Sequence, residues 1–352
     1  MSAPKTLRRR VMAPLAVLAG AAVLAACTSN TPAPSETSGG GSAAPAPAGA
    51  NDEPGDTVTI GFSAPAADHG WMGAITSAAQ AEAEKYTDVD LKVAEGTNDV
   101  NLQISQIEQF INDKVDAIVL LPFDGAALTD VATKAMEAGI PVVNVDREFS
   151  SPFAARTTVL GDNYGMGVSA GTYICDRLGG KSDAVVAEIA GIDNLPLTQD
   201  RSQGFADALK DCGLKVSNRV AADFTVQGGE TAASNLLQAA PKIDAIWNHD
   251  DDQGVGVMAA IDNAGRDEFF LVGGAGSKNV MEMIKSGGTV VEATVIYPST
   301  QAADGIRLAR LIAQGKAMSD LVEVEVPRTV QLHAPVVTKD NVDQYLPTAF
   351  QS

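Results

Sequence analysis

Only three histidines and three cysteines occur among the 352 residues, and neither a His-Glu-x-x-His nor a Cys-x-x-Cys pair is present. Zinc sites are built from such clusters, so catalytic or structural zinc is not expected and no cofactor is implied. Basic charge is also short, with 25 Lys+Arg against 44 Asp+Glu and a formal net charge of −19. Lys5, Arg8, Arg9 and Arg10 sit together at the very start, which leaves the remainder more acidic still. A surface of that sign repels nucleic acid, and no basic stripe or RNA-binding aromatic motif interrupts it. Long apolar runs are missing beyond Thr57, where none approaches the roughly 18 residues of a membrane helix. Large apolar side chains are nearly absent from 28–56, a stretch of Ser, Thr, Pro, Gly and Ala that cannot offset the entropy of ordering.

What is present begins at the N-terminus. The four basic residues form a charged n-region, 11–23 an apolar h-region, and Leu24-Ala25-Ala26-Cys27 closes it with small residues before a cysteine. The pattern resembles the bacterial lipoprotein signal, which implies cleavage before Cys27 and a diacylglycerol on its thiol. Two acyl chains, at about 0.8 kcal/mol per buried methylene, hold a protein durably at a membrane. Arg8-Arg9-Arg10 also suits a twin-arginine signal, so the export route stays open. The expected organisation is a signal peptide over 1–26, a disordered tether over 27–56, and a folded body outside the cytoplasm, lipid-anchored to the cell membrane. After lipidation, Cys175 and Cys212 remain, either as a disulfide outside the reducing cytosol or as two separate buried thiols.

From Thr57 onward, short β-branched runs alternate with helix-period stretches. The runs are 58–62, 91–94, 117–121, 142–145, 184–189, 215–221, 245–247, 270–272 and 290–295; helical periodicity marks 71–86, 101–114, 126–138, 228–238 and 255–263. Continuous apolar strands joined by helical crossovers predict an α/β fold with parallel sheets. Four such units precede Asp162-Asn163-Tyr164 and about five follow, which predicts two similar Rossmann-like lobes. Open parallel sheets bind ligands at the carboxyl ends of their strands. Those positions hold Asp68-His69-Gly70-Trp71, Asp146-Arg147, a loop leading to Asp200-Arg201, then Phe224 and Asn248-His249-Asp250-Asp251-Asp252. Flat apolar faces beside Asp, Asn and Arg are what a polyhydroxylated ligand requires, because each hydroxyl both donates and accepts while the C–H face stacks on a ring.

The ordered string Pro122-x-Asp124, Gly139-Ile140-Pro141-Val142-Val143-x-x-Asp146-Arg147, Asp162-Asn163, Asp200-Arg201-x-x-Gly204-Phe205, Ala222-Asp223-Phe224 and Asn248-His249-Asp250-Asp251 resembles the ribose- and galactofuranose-binding branch of the periplasmic sugar-binding proteins of ABC importers. The resemblance runs from Thr57 to about Pro347. It implies the type I periplasmic-binding-protein fold, with three hinge strands near 158–162, 296–300 and 326–331. The lobes would then be 57–160 plus 298–326 and 161–297 plus 327–352. It also implies that Asp146 and Arg147 grip hydroxyls from one lobe and Arg201 from the other. Phe224 would stack on the sugar, Trp71 and Met72 would supply aromatic-site positions, and Asp68 or His69 and Asp250 would stand for asparagines. Three departures occur: Gly274-Ala275-Gly276 replaces a Phe-Asp-Gly segment, the hinge glutamine falls at Ile296 or Tyr297, and Leu121 replaces an asparagine. They leave the ligand open between ribose, a polyol, a deoxy sugar, a ligand with fewer hydroxyls at that end and a differently oriented pentose or hexose. The partners implied are an ABC permease with its ATPase, the protein itself being a monomer without enzymatic activity.

Other patterns compete with this reading. A ligand-sensing lipoprotein that presents its closed form to a receptor would have the same cleft. Gly167-Val168-Ser169-Ala170-Gly171 satisfies the hydrolase elbow pattern around Ser169, but the elbow must directly follow a strand, and a polar turn precedes it here. Gly180-Lys181-Ser182 lacks the first glycine of a phosphate loop, which is Cys175. The triple-aspartate run lacks the spaced ligands of a calcium loop. Asp124 reads as a helix N-cap, His69 as a helix-start residue equally well as a ligand contact, and Trp247 as core.

Overall fold

The computed structural model describes residues 51–318, 321–323 and 325–352. The signal region, Cys27 and most of the expected tether lie outside the described residues. Ten helices and twelve strands alternate along the described chain. The first sheet has the order β11-β5-β4-β3-β1-β2, built from β1 (Val58–Ser63), β2 (Val89–Val93), β3 (Ala117–Leu120), β4 (Val142–Val145), β5 (Thr157–Gly161) and β11 (Thr329–Leu332). The second repeats it as β12-β10-β9-β8-β6-β7, from β6 (Val186–Ala190), β7 (Val216–Ala221), β8 (Ala245–Asn248), β9 (Phe270–Ala275), β10 (Val291–Ile296) and β12 (Val336–Thr338). Among the described strands only β12 runs antiparallel to its neighbour. This is an α/β fold of two Rossmann-like lobes.

Sequence explains each part locally. β3, β4, β6 and β8 are buried at every residue because helices cover both faces of their sheets. The edge strands β2 and β7 carry Asp90, Lys92, Asn218 and Arg219 instead, which discourages further pairing. Helix starts are fixed by side-chain oxygens accepting free N–H groups: Asp99 for α2 (Val100–Asn112), Asp124 for α3 (Gly125–Glu137), Asp162 for α4 (Asn163–Leu178) and Thr225 for α6 (Val226–Ala239). α1 (Gly70–Ala83) and α5 (Pro196–Asp211) have no side-chain cap, and Pro196 suits a first-turn position that needs no N–H donor.

The chain passes between the lobes three times, after β5, between β10 and α9 (Gln301–Ala313), and between β11 and β12. Helix α9 returns to pack against α1 and the first sheet. Because β11 pairs with β5, the third passage falls at 333–335, a few residues beyond the 326/327 boundary expected from the sequence. Cys175 on α4 and Cys212 at the end of α5 form a disulfide, with Cα atoms 6.1 Å apart. Residues 51–56, assigned to the tether on composition, are fastened to the first lobe. Arg310 is 1% exposed and donates to the carbonyls of Asn51 and Glu53, while Asp88 pairs with Arg310 at 2.7 Å and accepts the Gly55 N–H at 2.6 Å. Among the described residues no helix is long and apolar enough to cross a membrane.

Candidate functional site

Backbone strain marks the carboxyl ends of the strands. Among the described residues four non-glycine positions have positive φ, and three of them, Asp146 (+65°), Phe224 (+67°) and Ala275 (+79°), lie at or just beyond the ends of β4, β7 and β9. Such conformations cost of order 1–3 kcal/mol each and persist where surrounding structure over-determines them. At β4 the determinants are visible: Asp146 N–H donates to Val159 O at 2.9 Å, Arg147 N–H to Val145 O at 2.8 Å, and Asn144 Nδ2 to Arg147 O at 2.9 Å.

That turn aims Asp146 and Arg147 into a cavity of about 590 Å³ between the two sheets. Its walls include Phe123, Gly161, Asn163, Asp200 and Gln331, so both lobes contribute. Arg147 Nη1 donates to Phe123 O at 2.7 Å and the guanidinium lies 5.9 Å from the Phe123 ring centre. Its Nε is 3.8 Å from Asp146 Oδ2 and has no hydrogen-bond partner among the described residues.

Deeper in the cleft, Arg201 on α5 is 3% exposed. Its Nε donates to Asn163 Oδ1 at 2.9 Å and Nη1 to His249 O at 3.2 Å. The guanidinium lies 4.4 Å from the Tyr297 ring centre and 6.0 Å from that of Phe224. Phe224 lies against Gly191, where a Cβ would come within 2.0 Å of its ring. Trp71, in the first turn of α1, stacks on Tyr297 at 5.4 Å, donates its N–H to Asp252 Oδ2 at 2.8 Å across the lobes, and donates Nε1–H to Tyr297 O at 3.1 Å.

Asp68, His69, Met72 and Asp250 are placed less directly. Asp68 is exposed, with one oxygen 2.6 Å from His69 Nδ1 and the other accepting from Asn98 at 2.9 Å. His69 forms the extended N-cap of α1. Met72 is 1% exposed and packs in the apolar core with Trp71 and Ile75. Asp250 caps α7 (Asp251–Ala264), accepting from the N–H groups of Asp252 and Gln253, and burial, followed by the charge of Asp252, pushes its carboxyl up to about 7. Asp251 accepts from the N–H groups of Gly274, Gly276 and Ser277, binding α7 to the loop after β9. The acidic run is thus a cap, a brace and an interlobe contact.

Tyr297 and Asn163 escaped the sequence reading as ligand-site residues. Tyr297 follows β10 directly, donates its hydroxyl to Asp146 Oδ1 and accepts from Asn163 Nδ2 at 3.2 Å. Burial first, then the charge of Asp146, raises its pKa above the ordinary phenol value, so it stays a donor. The available signal was an aromatic at a strand's carboxyl end, at the position already matched to a hinge glutamine. Ser169 lies inside α4, donating to Ala334 O at 2.9 Å rather than standing at a strand-to-helix elbow. Trp247 is buried between Phe205 and His249.

Two lobes with the same strand order, joined by three crossings around a polar and aromatic cleft, define a solute-binding protein. The chain belongs to the periplasmic binding protein domain family, whose match spans residues 60–317. It is 31% identical to the ribose import binding protein RbsB of Bacillus subtilis over 70% of this chain and 81% of the relative. Identity to the xylitol-binding protein of Mycolicibacterium smegmatis is 27%, over 74% and 71% of the two chains. A crystal structure from Mycobacterium smegmatis in complex with β-D-fucofuranose matches with a TM-score of 0.73 and 26% identity, covering 83% of this chain and 94% of that one. The family and these relatives are binding and transport proteins, and the chain is not an enzyme.

Proposed function

We propose that this protein captures a sugar or polyol in the interlobe cleft and, as a lipoprotein anchored through Cys27 outside the cytoplasm, delivers it to an ABC permease. The observation that carries the reading is the cavity shared by Asp146, Arg147 and Asn163. Behind the cavity wall Trp71 and Arg201 gather around Tyr297 with Phe224 beside Arg201, and Asp250 lies at the second lobe's helix start. The names of the relatives, ribose, xylitol and fucofuranose binders, support hydroxyl-rich ligands. Capture would proceed by hinge closure, because a ligand touching both lobes has differential affinity for the closed state.

A thermal-shift screen of the detergent-solubilised full chain against pentoses, hexoses, deoxy sugars and polyols tests this. A ligand at a thousand times its Kd adds about 4 kcal/mol and should raise Tm by several degrees. Once a ligand is found, Arg147→Ala should cost roughly 2–4 kcal/mol of affinity, because it leaves a buried polar ligand group unpaired. An unchanged Kd would remove Arg147 from the site. Cys27→Ser should move the protein out of the membrane fraction, and retention there would refute the anchor.

A further inference from the structure

In the cleft one side chain already meets the groups that would hold a solute. The Tyr297 ring stacks on Trp71 and lies under the Arg201 guanidinium, while its hydroxyl sits between Asp146 and Asn163. It is also pinned. Its N–H donates to Ala275 O at 3.1 Å, its carbonyl accepts from Trp71 Nε1, and a Cβ on Gly161 would come within 2.0 Å of its ring. Gly161, Asn163 and Asp146 are at the same time walls of the 590 Å³ cavity, so the ring stands immediately behind that wall.

The geometry points to Tyr297 as the residue that sets which solutes fit: its phenol permanently fills the inner end of the cleft, against Trp71 and Arg201, and confines the ligand to the Arg147 side. This rests on the solute-binding reading above. The confined ligand is a short, uncharged polyhydroxylated solute that uses the Asp146 and Arg147 side chains lining the cavity, with Asp146 Oδ1 already taken by the phenol. Removing the ring joins the inner end to the cavity and makes room for a longer solute.

The test is a size-graded panel of three- to six-carbon alditols, pentoses, hexoses and disaccharides, titrated by calorimetry into the full-length protein, Tyr297→Ala and Tyr297→Phe. The Ala variant should shift preference toward larger members, changing the affinity ratio of the best larger to the best smaller solute by about 10-fold or more, as expected when a pocket gains space. The Phe variant keeps the ring and should keep the wild-type size ranking. Binding by the Ala variant of solutes that the wild type rejects also supports the proposal. An identical ranking in wild type and Ala variant overturns it while leaving solute binding intact, and a Phe variant that behaves like Ala overturns occupancy by the ring. Absence of binding by all three proteins overturns both this proposal and the solute-binding reading. Should Tyr297→Ala fail to fold, Tyr297→Gln serves in its place with the same outcomes.

Discussion

Glu188, in the middle of β6 and 1% exposed, organises the neighbourhood of Arg201 without touching it. It accepts from the Ser202 hydroxyl, next in sequence to Arg201, and pairs at 2.9 Å with Nε2 of His249, whose carbonyl receives Arg201 Nη1. Burial pushes the His249 imidazole below its ordinary value, so a neutral ring donates from Nε2 and Nδ1 is left without a partner among the described residues. Arg219 Nε stands 3.5 Å away on the other carboxylate oxygen. Deleting one member of such a buried set strands the others, at a cost of roughly 3–5 kcal/mol. Glu188→Ala should therefore lower unfolding free energy by that order in urea titration, and should also weaken solute binding. A variant of unchanged stability would show that the network carries no net energy. None of this was legible in the sequence, because Glu188 occupies one place in an apolar run and its partners come from β7, α5 and the end of β8.

At the scale of elements, the sequence was most readable where periodicity is strong. The runs 117–121, 142–145 and 245–247 fall within a residue of β3, β4 and β8, since strands buried on both faces leave continuous apolar signatures. Helix α7 was expected over 255–263 and begins at Asp251, because its first turn is acidic; carboxylates at a helix N-terminus favour the helix but hide its apolar period. Short β12 and the half-polar β11 have too few residues for any pattern. The α7 start also carries a pH dependence. Asp250 is raised from 3.8 to about 7, so the folded protein holds a proton that the unfolded chain releases. Its contribution is complete below about 3.8 and is lost as pH rises toward 7, so this one carboxyl should add at most about 1.4 kcal/mol per pH unit on acidification from pH 7 to pH 5, alongside Asp251, which burial also raises to about 7, and against His249, whose lowered imidazole loses stability as it protonates. Melting curves of wild type and Asp250→Asn check this: the uncharged variant should show a flatter dependence, and equal slopes would assign the proton elsewhere. A second element-scale expectation concerns α4 and α5. The Cys175–Cys212 bridge closes a loop of 37 residues, and replacing both by serine should cost roughly 2–4 kcal/mol in denaturant melts. Titration of the denatured wild type should find neither thiol free.

For the whole molecule, the two-lobed plan was legible because βα alternation repeats with the same order in both halves, whereas the contacts that join the lobes were not. They come from positions far apart in sequence, such as Trp71 with Asp252 and Tyr297 with Asp146. No local pattern announces a backbone N–H at the start of α1 meeting a carboxylate at the start of α7. The contact is nonetheless tight, since a Cβ on Gly70 would lie 2.6 Å from Asp252 Oδ1. A hydrogen bond to a charged group contributes about 1.5–3 kcal/mol, and every 1.4 kcal/mol is a factor of ten in a two-state equilibrium. Asp252→Ala should therefore shift the ligand-free population toward the open form by roughly tenfold or more. Small-angle scattering would report this as a larger radius of gyration than wild type without ligand, with both proteins converging when solute saturates the cleft. If the radius of the ligand-free variant equals that of wild type, closure rests on other interlobe contacts, such as those of Tyr297 and the approach of Gly70 to Gln351, and Asp252 serves only to seat α1.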